Sequence, residues 1–295
     1  MIAMRDFLTG RLVPVLTILV AIVVIWYGAA IGLNGPVIRD FEKRAGETSE
    51  GMAFILKTWS QPKPTMPAPH QVAAAFWKYT AGVKLTSNRS LIYHSWVTLS
   101  ATLLGFALGT ALGVVIAISI VHVPALDKSL LPWIITSQTV PILAVAPMII
   151  VLLAAIGVTG LLPKALISTY LSFFPVAVGM VKGLRSPDTL HMDLMRTYSA
   201  SRAQVLWKLR IPASVPFFFA SIKVAIAASL IGAIVGELPT GAVAGIGSKL
   251  LAGSYYSQTI DIFAALIAGS ICAILLVTLV DITGRLVERR MGAKT

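Results

Sequence analysis

The residue types that most often carry enzyme or metal chemistry are scattered in this sequence. Its four histidines lack the His-Glu-x-x-His spacing of a zinc site, and its single cysteine, Cys272, excludes an internal disulfide and a Cys-x-x-Cys metal site. A Gly-rich segment that ends at Lys249 does not have the pattern of a phosphate-binding loop, because Lys249 follows Ser248 instead of a glycine and no strand precedes it. No Walker motif occurs either, so we expect no ATP hydrolysis by this chain and no bound cofactor.

Polar residues inside apolar runs are the better candidates for function. One cluster precedes Pro141 and consists of Thr136, Ser137, Gln138 and Thr139. Proline frees backbone carbonyls that a water-filled cavity can satisfy, so these residues are candidates for the lining of a transport pathway. Alternatively, their hydroxyls bond the carbonyls of their own helix. Ten residues lie between Pro212 and Lys223, or about 15 Å of helix. At that depth the charge of Lys223 would attract an anionic solute, pair with an acid or snorkel toward the cytoplasm.

The composition identifies the medium in which these residues lie. Of 295 residues, 57% are hydrophobic and 12% are charged, and the mean hydropathy is +0.85. A soluble domain carries about 25% charged residues. The chain is therefore an integral membrane protein and not a soluble enzyme, a disordered chain or a fibrous repeat. Its net charge of +12 is explained by basic residues that fix membrane topology and meet membrane lipid, so no nucleic-acid partner is expected.

Six apolar runs are long enough for membrane-spanning helices, which need about 20 residues. An uncharged stretch of 35 residues between Lys128 and Lys164 is too long for one span, and the Gly157–Gly160 segment divides it. The predicted spans are Leu12–Leu33, Ser95–Val121, Leu130–Ile156, Leu161–Val181, Ala213–Gly236 and Ile262–Val280, the last closed by Asp261 and Asp281. The first run exceeds the roughly 7–15 apolar residues of a signal peptide, which favours a retained helix over a cleaved signal.

Basic residues in the short loops set the orientation. With the N-terminus in the cytoplasm, thirteen basic residues lie in cytoplasmic segments and only Lys164 and Lys249 lie in the short outer loops. We therefore expect both termini in the cytoplasm. The expected parts are an N-terminus with the first helix (1–33), a periplasmic segment (34–94), a transmembrane core (95–282) and a cytoplasmic tail (283–295).

The periplasmic segment is not uniform. Residues 34–61 are mixed and moderately polar, and a Pro-rich stretch follows them. After this stretch, apolar residues at helical spacing predict a short amphipathic helix: Val72, Ala75, Phe76 and Tyr79. This helix either packs on the bundle or lies on the outer surface of the membrane.

The strongest functional signal lies between the fourth and fifth spans, at residues 182–212. Ser186-Pro187-Asp188 is typical of a helix start with Ser at the N-cap. Ser201 and Gln204 have the capping-box spacing of a second short helix, which we expect to end before Pro212. Apolar residues line one face of each helix, among basic residues: Leu190, Leu194, Met195 and Tyr198 in the first, and Val205, Leu206 and Leu209 in the second. Such a surface favours docking of a partner, and a re-entrant or membrane-surface loop is the alternative.

The spacing in this loop resembles the Glu-Ala-Ala loop of ABC-importer permeases, in which a Gly and then Ile-x-Leu-Pro follow at fixed distances. The matching residues, in family order, are Asp193, Leu194, Met195, Ser199, Leu209, Ile211 and Pro212. Ser199 replaces the family's Gly, and Leu194 and Met195 replace its alanines, so the docking geometry is expected to differ in detail. Phe173-Phe174-Pro175 and the segment from Ile231 to Glu237 are similar to the nitrate/sulfonate/taurine-type branch. Residues 34–61 match no part of the family pattern.

The resemblance implies a type I ABC-importer permease fold, which is all-α with six transmembrane helices and a cytoplasmic coupling helix between helices 4 and 5. It also implies a homodimer in the bacterial inner membrane, two cytoplasmic ATPase subunits and a periplasmic substrate-binding protein. We call residues 182–212 the coupling loop. The residues that the resemblance assigns to ATPase coupling are Asp193, Leu194, Met195, Tyr198, Ser199, Ser201, Arg202, Val205, Leu206, Leu209 and Pro212.

The function implied by the resemblance is ATP-driven import of a small polar or anionic solute, such as nitrate, a sulfonate, taurine or a pyrimidine-like compound. An ion-coupled secondary transporter is the alternative. Such a transporter favours acidic residues within its spans, and the predicted helices one to four and six contain none. An intramembrane enzyme is disfavoured, because no paired carboxylates, His cluster or Ser/Lys pair lies at bilayer depth.

Overall fold

The computed structural model describes residues 13–239 and 244–291, which form helices and short connections without a β-strand. The helices are α1 (Val13–Ala45), α2 (Gly51–Trp59), α3 (Pro69–Thr80), α4 (Leu91–His122), α5 (Pro124–Ser137), α6 (Ile142–Ala155), α7 (Leu161–Leu184), α8 (Thr189–Thr197), α9 (Arg202–Val205), α10 (Ile211–Glu237), α11 (Ile246–Tyr255) and α12 (Thr259–Arg290). A π-helical turn, Leu206–Arg210, joins α9 to α10. In this described part of the chain, five uninterrupted helices are long and apolar enough to cross a membrane: α1, α4, α7, Arg202–Glu237 and α12.

The third predicted span is not a continuous helix. The chain enters α5 at Pro124, six residues before the predicted start at Leu130, and α5 and α6 are bent by 99° at a short break. Pro141 explains the break, because it has no N–H and disfavours the helical conformation of the residue before it. The N–H groups of Gln138, Thr139 and Val140 bond carbonyls three residues earlier. The break therefore remains hydrogen-bonded, and the bent pair is the sixth candidate span.

The other spans are all longer than predicted, and the first and last extend far beyond their predicted ends. Helix α1 continues past Leu33 to Ala45, into the segment predicted as periplasmic; the predicted start at Leu12 lies outside the described residues. Helix α12 runs from Thr259 to Arg290, so Asp261 and Asp281 lie within it and do not close it. A helix of 32 residues is about 48 Å long, whereas the hydrocarbon core is about 30 Å thick. The charged ends can lie in the interfacial regions, so charges do not mark where such helices stop.

The described residues form two compact units, which comprise the described parts of 1–91 with 249–267 and of 92–248 with 268–295. The second unit contains α4, α7 and α10, whose small residues pack closely. A Cβ on Gly105 would lie 2.2 Å from the Ser168 Cβ, and a Cβ on Gly109 would lie 2.1 Å from the Ser172 Oγ. The glycines of α4 thus let it contact α7 at backbone distance.

Buried hydroxyls also connect the three helices of the second unit. Ser229 of α10 donates to the Thr102 carbonyl of α4 at 2.8 Å, and Ser168 of α7 donates to the Ser229 carbonyl at 2.9 Å. Ser168 and Ser229 are fully buried. In an apolar medium a side-chain hydroxyl without a partner is costly, so these bonds satisfy the polar groups and connect neighbouring helices.

The first unit includes the segment that matches no family pattern. Asn34 of α1 is fully buried; its amide donates to the Thr58 and Met66 carbonyls at 2.9 Å and accepts the Met66 N–H at 3.0 Å. Trp26 donates to the Pro67 carbonyl at 2.9 Å. Helix α3 confirms the predicted short amphipathic helix, and the burial of Val72 supports its packing against protein.

The close α4–α7 contact can be tested at Gly109. Gly109→Ala places a Cβ against Ser172, and overpacking of this kind costs about 1–3 kcal/mol. Gly28→Ala in α1 is the matched control, because nothing lies within 4 Å of its added Cβ, and we expect it to be neutral or slightly stabilising. Thermal unfolding of the purified protein in detergent measures both. Equal unfolding temperatures for the two variants would show that the close contact is absent.

Candidate functional site

Helix α8 of the coupling loop begins at Thr189 with Asp188 at its N-cap, so the predicted N-cap at Ser186 is wrong. The Ser186 hydroxyl donates instead to the Gly183 carbonyl in the last turn of α7, at 2.8 Å. It therefore gives a carbonyl at the C-terminal end of α7 a hydrogen-bond partner. The negative charge of Asp188 is favourably placed at the N-terminal end of the α8 dipole.

The turn after α8 has the geometry of a Schellman motif. Ser199 adopts a positive φ of 48°, the Ala200 N–H donates to the Met195 carbonyl at 3.0 Å, and the Ser199 N–H donates to the Arg196 carbonyl at 2.8 Å. Glycine is the usual residue at this position because it has no Cβ. Ser199 therefore makes, with a steric cost, the turn for which the family pattern has Gly.

The predicted capping box is confirmed. The Ser201 Oγ accepts the Gln204 N–H at 3.3 Å, and the Gln204 Oε1 accepts the Ser201 N–H at 2.7 Å. The helix does not end before Pro212, however, and this prediction is wrong. It continues through the π-helical turn into α10, with the Ile211 N–H bonded to the Leu206 carbonyl. The wider turn accommodates the proline ring, which clashes with the preceding turn of a regular α-helix.

The coupling loop has an exposed apolar face. Its exposed apolar side chains are Leu190, Leu194, Tyr198 and Trp207, each at least 52% exposed. The first three lie at four-residue intervals and share one face of α8. The partly buried members of the predicted set are Met195, Val205, Leu206, Leu209 and Pro212, and Leu206 packs against the buried core of the second unit. The exposed apolar face is therefore mainly that of α8, and sequence reasoning missed Trp207.

A basic groove of about 400 Å³ lies beside this apolar face. Its charged and titratable lining residues are Arg196, Arg202, Arg210 and His122. Arg196 pairs with the predicted residue Asp193 at 2.9 Å, and both side chains are mostly exposed. In the described part of the chain, Arg202 and Arg210 have no acidic partner within ion-pair distance. The coupling loop thus combines an apolar face with unpaired positive charge.

The polar cluster before Pro141 lies at the break between α5 and α6. The Thr136 hydroxyl donates to the Pro132 carbonyl at 2.8 Å, the Ser137 hydroxyl to the Ile134 carbonyl at 2.7 Å, and the Thr139 hydroxyl to the Thr136 carbonyl at 2.8 Å. The hydroxyls thus bond carbonyls of their own helix, as in the alternative interpretation of the sequence. Thr136, Gln138 and Thr139 are also exposed, so a pathway role remains a prediction.

Lys223 of α10 has an acidic partner on another helix. Its Nζ forms an ion pair with Asp281 of α12, which also pairs with Arg285. The Lys223 side chain is 37% exposed and that of Asp281 is 22% exposed. Pairing with an acid is one of the alternatives that the sequence left open, and this pair joins two helices of the second unit.

A buried polar cluster lies at the other end of α10, and the sequence did not predict it. The Glu237 side chain is fully buried, accepts the Thr98 hydroxyl at 2.9 Å and the Gly247 N–H at 2.9 Å, and lies 3.8 Å from the Lys164 Nζ. Lys164 in turn donates to the Ala244 carbonyl at 3.2 Å. We call these residues the Glu237 cluster.

The Glu237 cluster caps the start of α11. Three successive N–H groups, those of Gly245, Ile246 and Gly247, donate to the His94 Nδ1 at 2.8 Å, the Thr98 Oγ1 at 2.9 Å and the Glu237 carboxylate at 2.9 Å. The first N–H groups of a helix have no partner within it, so buried side chains of α4 and α10 act as their acceptors.

Glycine spacing was the sequence signal that could have identified this contact. A Cβ on Gly245 would lie 2.1 Å from the Glu237 Cδ, and a Cβ on Gly247 would lie 2.2 Å from the Ile234 carbonyl oxygen. The sequence favoured an outer loop up to Lys249, but the chain is helical from Ile246; residues 241–243 lie outside the described part.

Burial is the largest cause that lowers the pKa of Lys249.

Comparison with known proteins identifies the family. A family model described as the binding-protein-dependent transport system inner membrane component matches residues 109–293. The chain belongs to this family. The match begins within α4 and includes the coupling loop. It also includes every residue of the Glu237 cluster except Thr98, and helices α1 to α3 lie outside it.

The chain is also similar to curated proteins that are named as transport permeases. The riboflavin transport system permease protein of Chloroflexus aurantiacus is 30% identical over 247 residues, which are 83% of this chain and 84% of the relative. A probable ABC transporter permease protein of Haemophilus influenzae is 31% identical over 62% of this chain and 74% of its own. A putative aliphatic sulfonates transport permease protein of Bacillus subtilis is 28% identical over 70% of this chain and 72% of its own.

Family membership confirms the principal expectations from the sequence. The chain is a multi-pass inner-membrane permease subunit of an ATP-driven ABC importer, with the type I permease fold. Members of this permease family are transmembrane subunits and not themselves enzymes, so ATP hydrolysis belongs to a separate ATPase subunit, and a substrate-binding protein supplies the solute. These findings favour the importer over the ion-coupled secondary transporter.

The left-handed turn of the permease's coupling loop makes a stability prediction. Ser199→Gly removes a Cβ from a residue at positive φ and should stabilise the protein by about 1 kcal/mol. Ala203→Gly, in the adjacent α9, is the control and should destabilise it by about 1 kcal/mol. Thermal unfolding in detergent measures both changes, and destabilisation by Ser199→Gly would show that residue 199 does not adopt this conformation.

Proposed function

We propose that the exposed face of α8 is the surface on which the ATPase subunit docks. The observation that carries this proposal is the capped helix–turn–helix of the coupling loop, whose apolar face is exposed and rimmed by basic side chains. An exposed apolar face of this kind favours a protein partner. The bonds of Ser201 with Gln204 and the Schellman turn at Ser199 support a fixed geometry for the docking surface.

The connections of the coupling loop support transmission of movement. Only residues 185–188 separate α7 from α8, and α9 continues through the π-helical turn into α10 without a break. A displacement of the docked loop would therefore move α10 as a rigid element. We infer that closure of the ATPase subunits drives the permease between its two access states through this continuous helix.

The proposed assembly is a homodimer of the permease with two ATPase subunits and a substrate-binding protein on opposite faces of the membrane. The excess of basic residues in the loops on one side supports a cytoplasmic coupling loop and two cytoplasmic termini. Arg202 and Arg210 in the loop agree with this orientation, because their charge is not matched within the described chain and would meet acidic groups of a partner.

We propose a small polar or anionic organic solute as the cargo. The relatives are named for riboflavin and for aliphatic sulfonates, and both are small organic compounds with polar groups. The exposed Thr136, Gln138 and Thr139 at the α5–α6 break are proposed to line the pathway. For Lys223, the ion pair with Asp281 supports a role in joining α10 to α12 over direct contact with solute.

The docking proposal predicts the effect of a new charge on α8. Leu194→Asp places a carboxylate in the apolar face, where desolvation without a partner is unfavourable, and should reduce ATPase retention during purification by about tenfold or more. Thr189→Asp is the matched control, because it adds the same group on the other side of α8, near its N-terminus. Pull-down stoichiometry measures both, and full retention with Leu194→Asp would place the docking surface elsewhere.

The Lys223–Asp281 ion pair predicts a rescue by exchange of the charges. Lys223→Asp brings two carboxylates together and should lower the unfolding temperature of the permease, because like charges at one site repel each other. The double variant Lys223→Asp with Asp281→Lys should restore both thermal stability and solute uptake. Restored stability with lost uptake would instead assign Lys223 to the pathway.

A further inference from the structure

A cleft of about 820 Å³ lies at the end of α10 that is remote from the coupling loop. Its walls are largely apolar and include Val97 of α4, Val151 and Ala154 of α6, Leu161 of α7, and Pro239. The continuous helix Arg202–Glu237, about 54 Å long at 1.5 Å per residue, separates this end from the start of α9. The cleft therefore lies at the end of the spanning bundle opposite to the proposed ATPase surface.

The polar groups that reach the cleft are few and mostly uncharged. Hydroxyl-bearing side chains are present at Tyr93, Ser100 and Thr159. Among the described lining residues, Lys164 is the one permanently charged group.

The positive charge of Lys164 is matched by the Glu237 cluster. Its side chain is only 12% exposed, its Nζ lies 3.8 Å from the Glu237 carboxylate, and it donates to the Ala244 carbonyl at 3.2 Å. Glu237 is fully buried and held by Thr98 and Gly247. A free anion in the cleft would have to compete with a carboxylate that the fold already holds beside the ammonium group.

We propose that this cleft is a transit site for the imported solute and that it accepts an uncharged solute with an apolar body and a few hydroxyl or amide groups. This inference rests on the proposed function and narrows its solute class. An anion would lose its hydration in an apolar cleft without gaining an unmatched cation, which is unfavourable. The body of an uncharged solute would contact the apolar walls, and its polar groups would bond the hydroxyls, as is usual in small-molecule sites of this size.

The cysteine content of the chain allows a direct test. Cys272 is the single cysteine and is buried, so Cys272→Ala gives a cysteine-free background. Ala154→Cys then introduces a thiol in the cleft wall. Ala155→Cys is the matched control, because residue 155 is also exposed on α6 but does not line the cleft. The rate of labelling by a small uncharged maleimide is measured on the permease–ATPase complex in lipid nanodiscs.

The probes are riboflavin and an aminopyrimidine as uncharged ring solutes, and nitrate and ethanesulfonate as anions. We expect an uncharged ring solute to slow labelling of Ala154→Cys by about threefold, which corresponds to a concentration near twice the dissociation constant. We expect the anions to leave that rate unchanged, and no probe to affect Ala155→Cys.

Three results would overturn the inference. Protection by nitrate or ethanesulfonate alone would assign the cleft to anions. Equal protection of Ala154→Cys and Ala155→Cys would show a change of the whole helix instead of a site. No protection by any probe, with faster labelling after removal of lipid, would identify the cleft as a lipid site. The amount of ATPase retained by the same preparations reports separately on the proposed function, so failure of the transit site does not depend on failure of ATPase docking.

Discussion

A hydrocarbon medium offers no water to backbone N–H and C=O groups, so each of them needs a partner within the protein. This constraint explains why the fold is built from long helices. It also explains why backbone N–H groups at the irregular segments have hydrogen-bond partners. At the α5–α6 break, the N–H groups of Gln138, Thr139 and Val140 bond to carbonyls three residues earlier. At the start of α11, three N–H groups are taken up by His94, Thr98 and Glu237. In both places the chain departs from a regular helix without leaving these donors unpaired.

The same constraint shapes the contact between the central helices. Without a hydrophobic driving force between helices in lipid, association depends on close packing and on interhelical hydrogen bonds. The glycines of α4 allow backbone-distance packing on α7, and the hydroxyls of Ser168 and Ser229 connect α4, α7 and α10. Because α10 is continuous with the helix of the coupling loop, this tightly packed set of helices is mechanically connected to the loop.

Short-range features of the fold could be predicted from the sequence, whereas features that depend on long-range contacts could not. The spans follow from apolar runs, and the Ser201–Gln204 capping box follows from a spacing of three residues. By contrast, the burial of Glu237 depends on Thr98, which is 139 residues away. Local predictions were wrong where one residue could serve either of two helices. The Ser186 hydroxyl bonds a carbonyl of α7 instead of capping α8. Pro212 did not end its helix, because a π-helical turn precedes it.

The distribution of charge shows why a count of basic residues is a poor guide to a solute. Lys164 and Lys223 are basic residues within apolar helices, and each is paired with an acid on a different helix. An unmatched charge in the membrane is costly, so such pairing is the expected state of a lysine that serves structure. Arg202 and Arg210, in the coupling loop, carry charge that the described chain does not match. The unpaired charge thus lies where a partner protein can approach, and the cleft at the other end of α10 is left with an apolar surface and a matched ion pair.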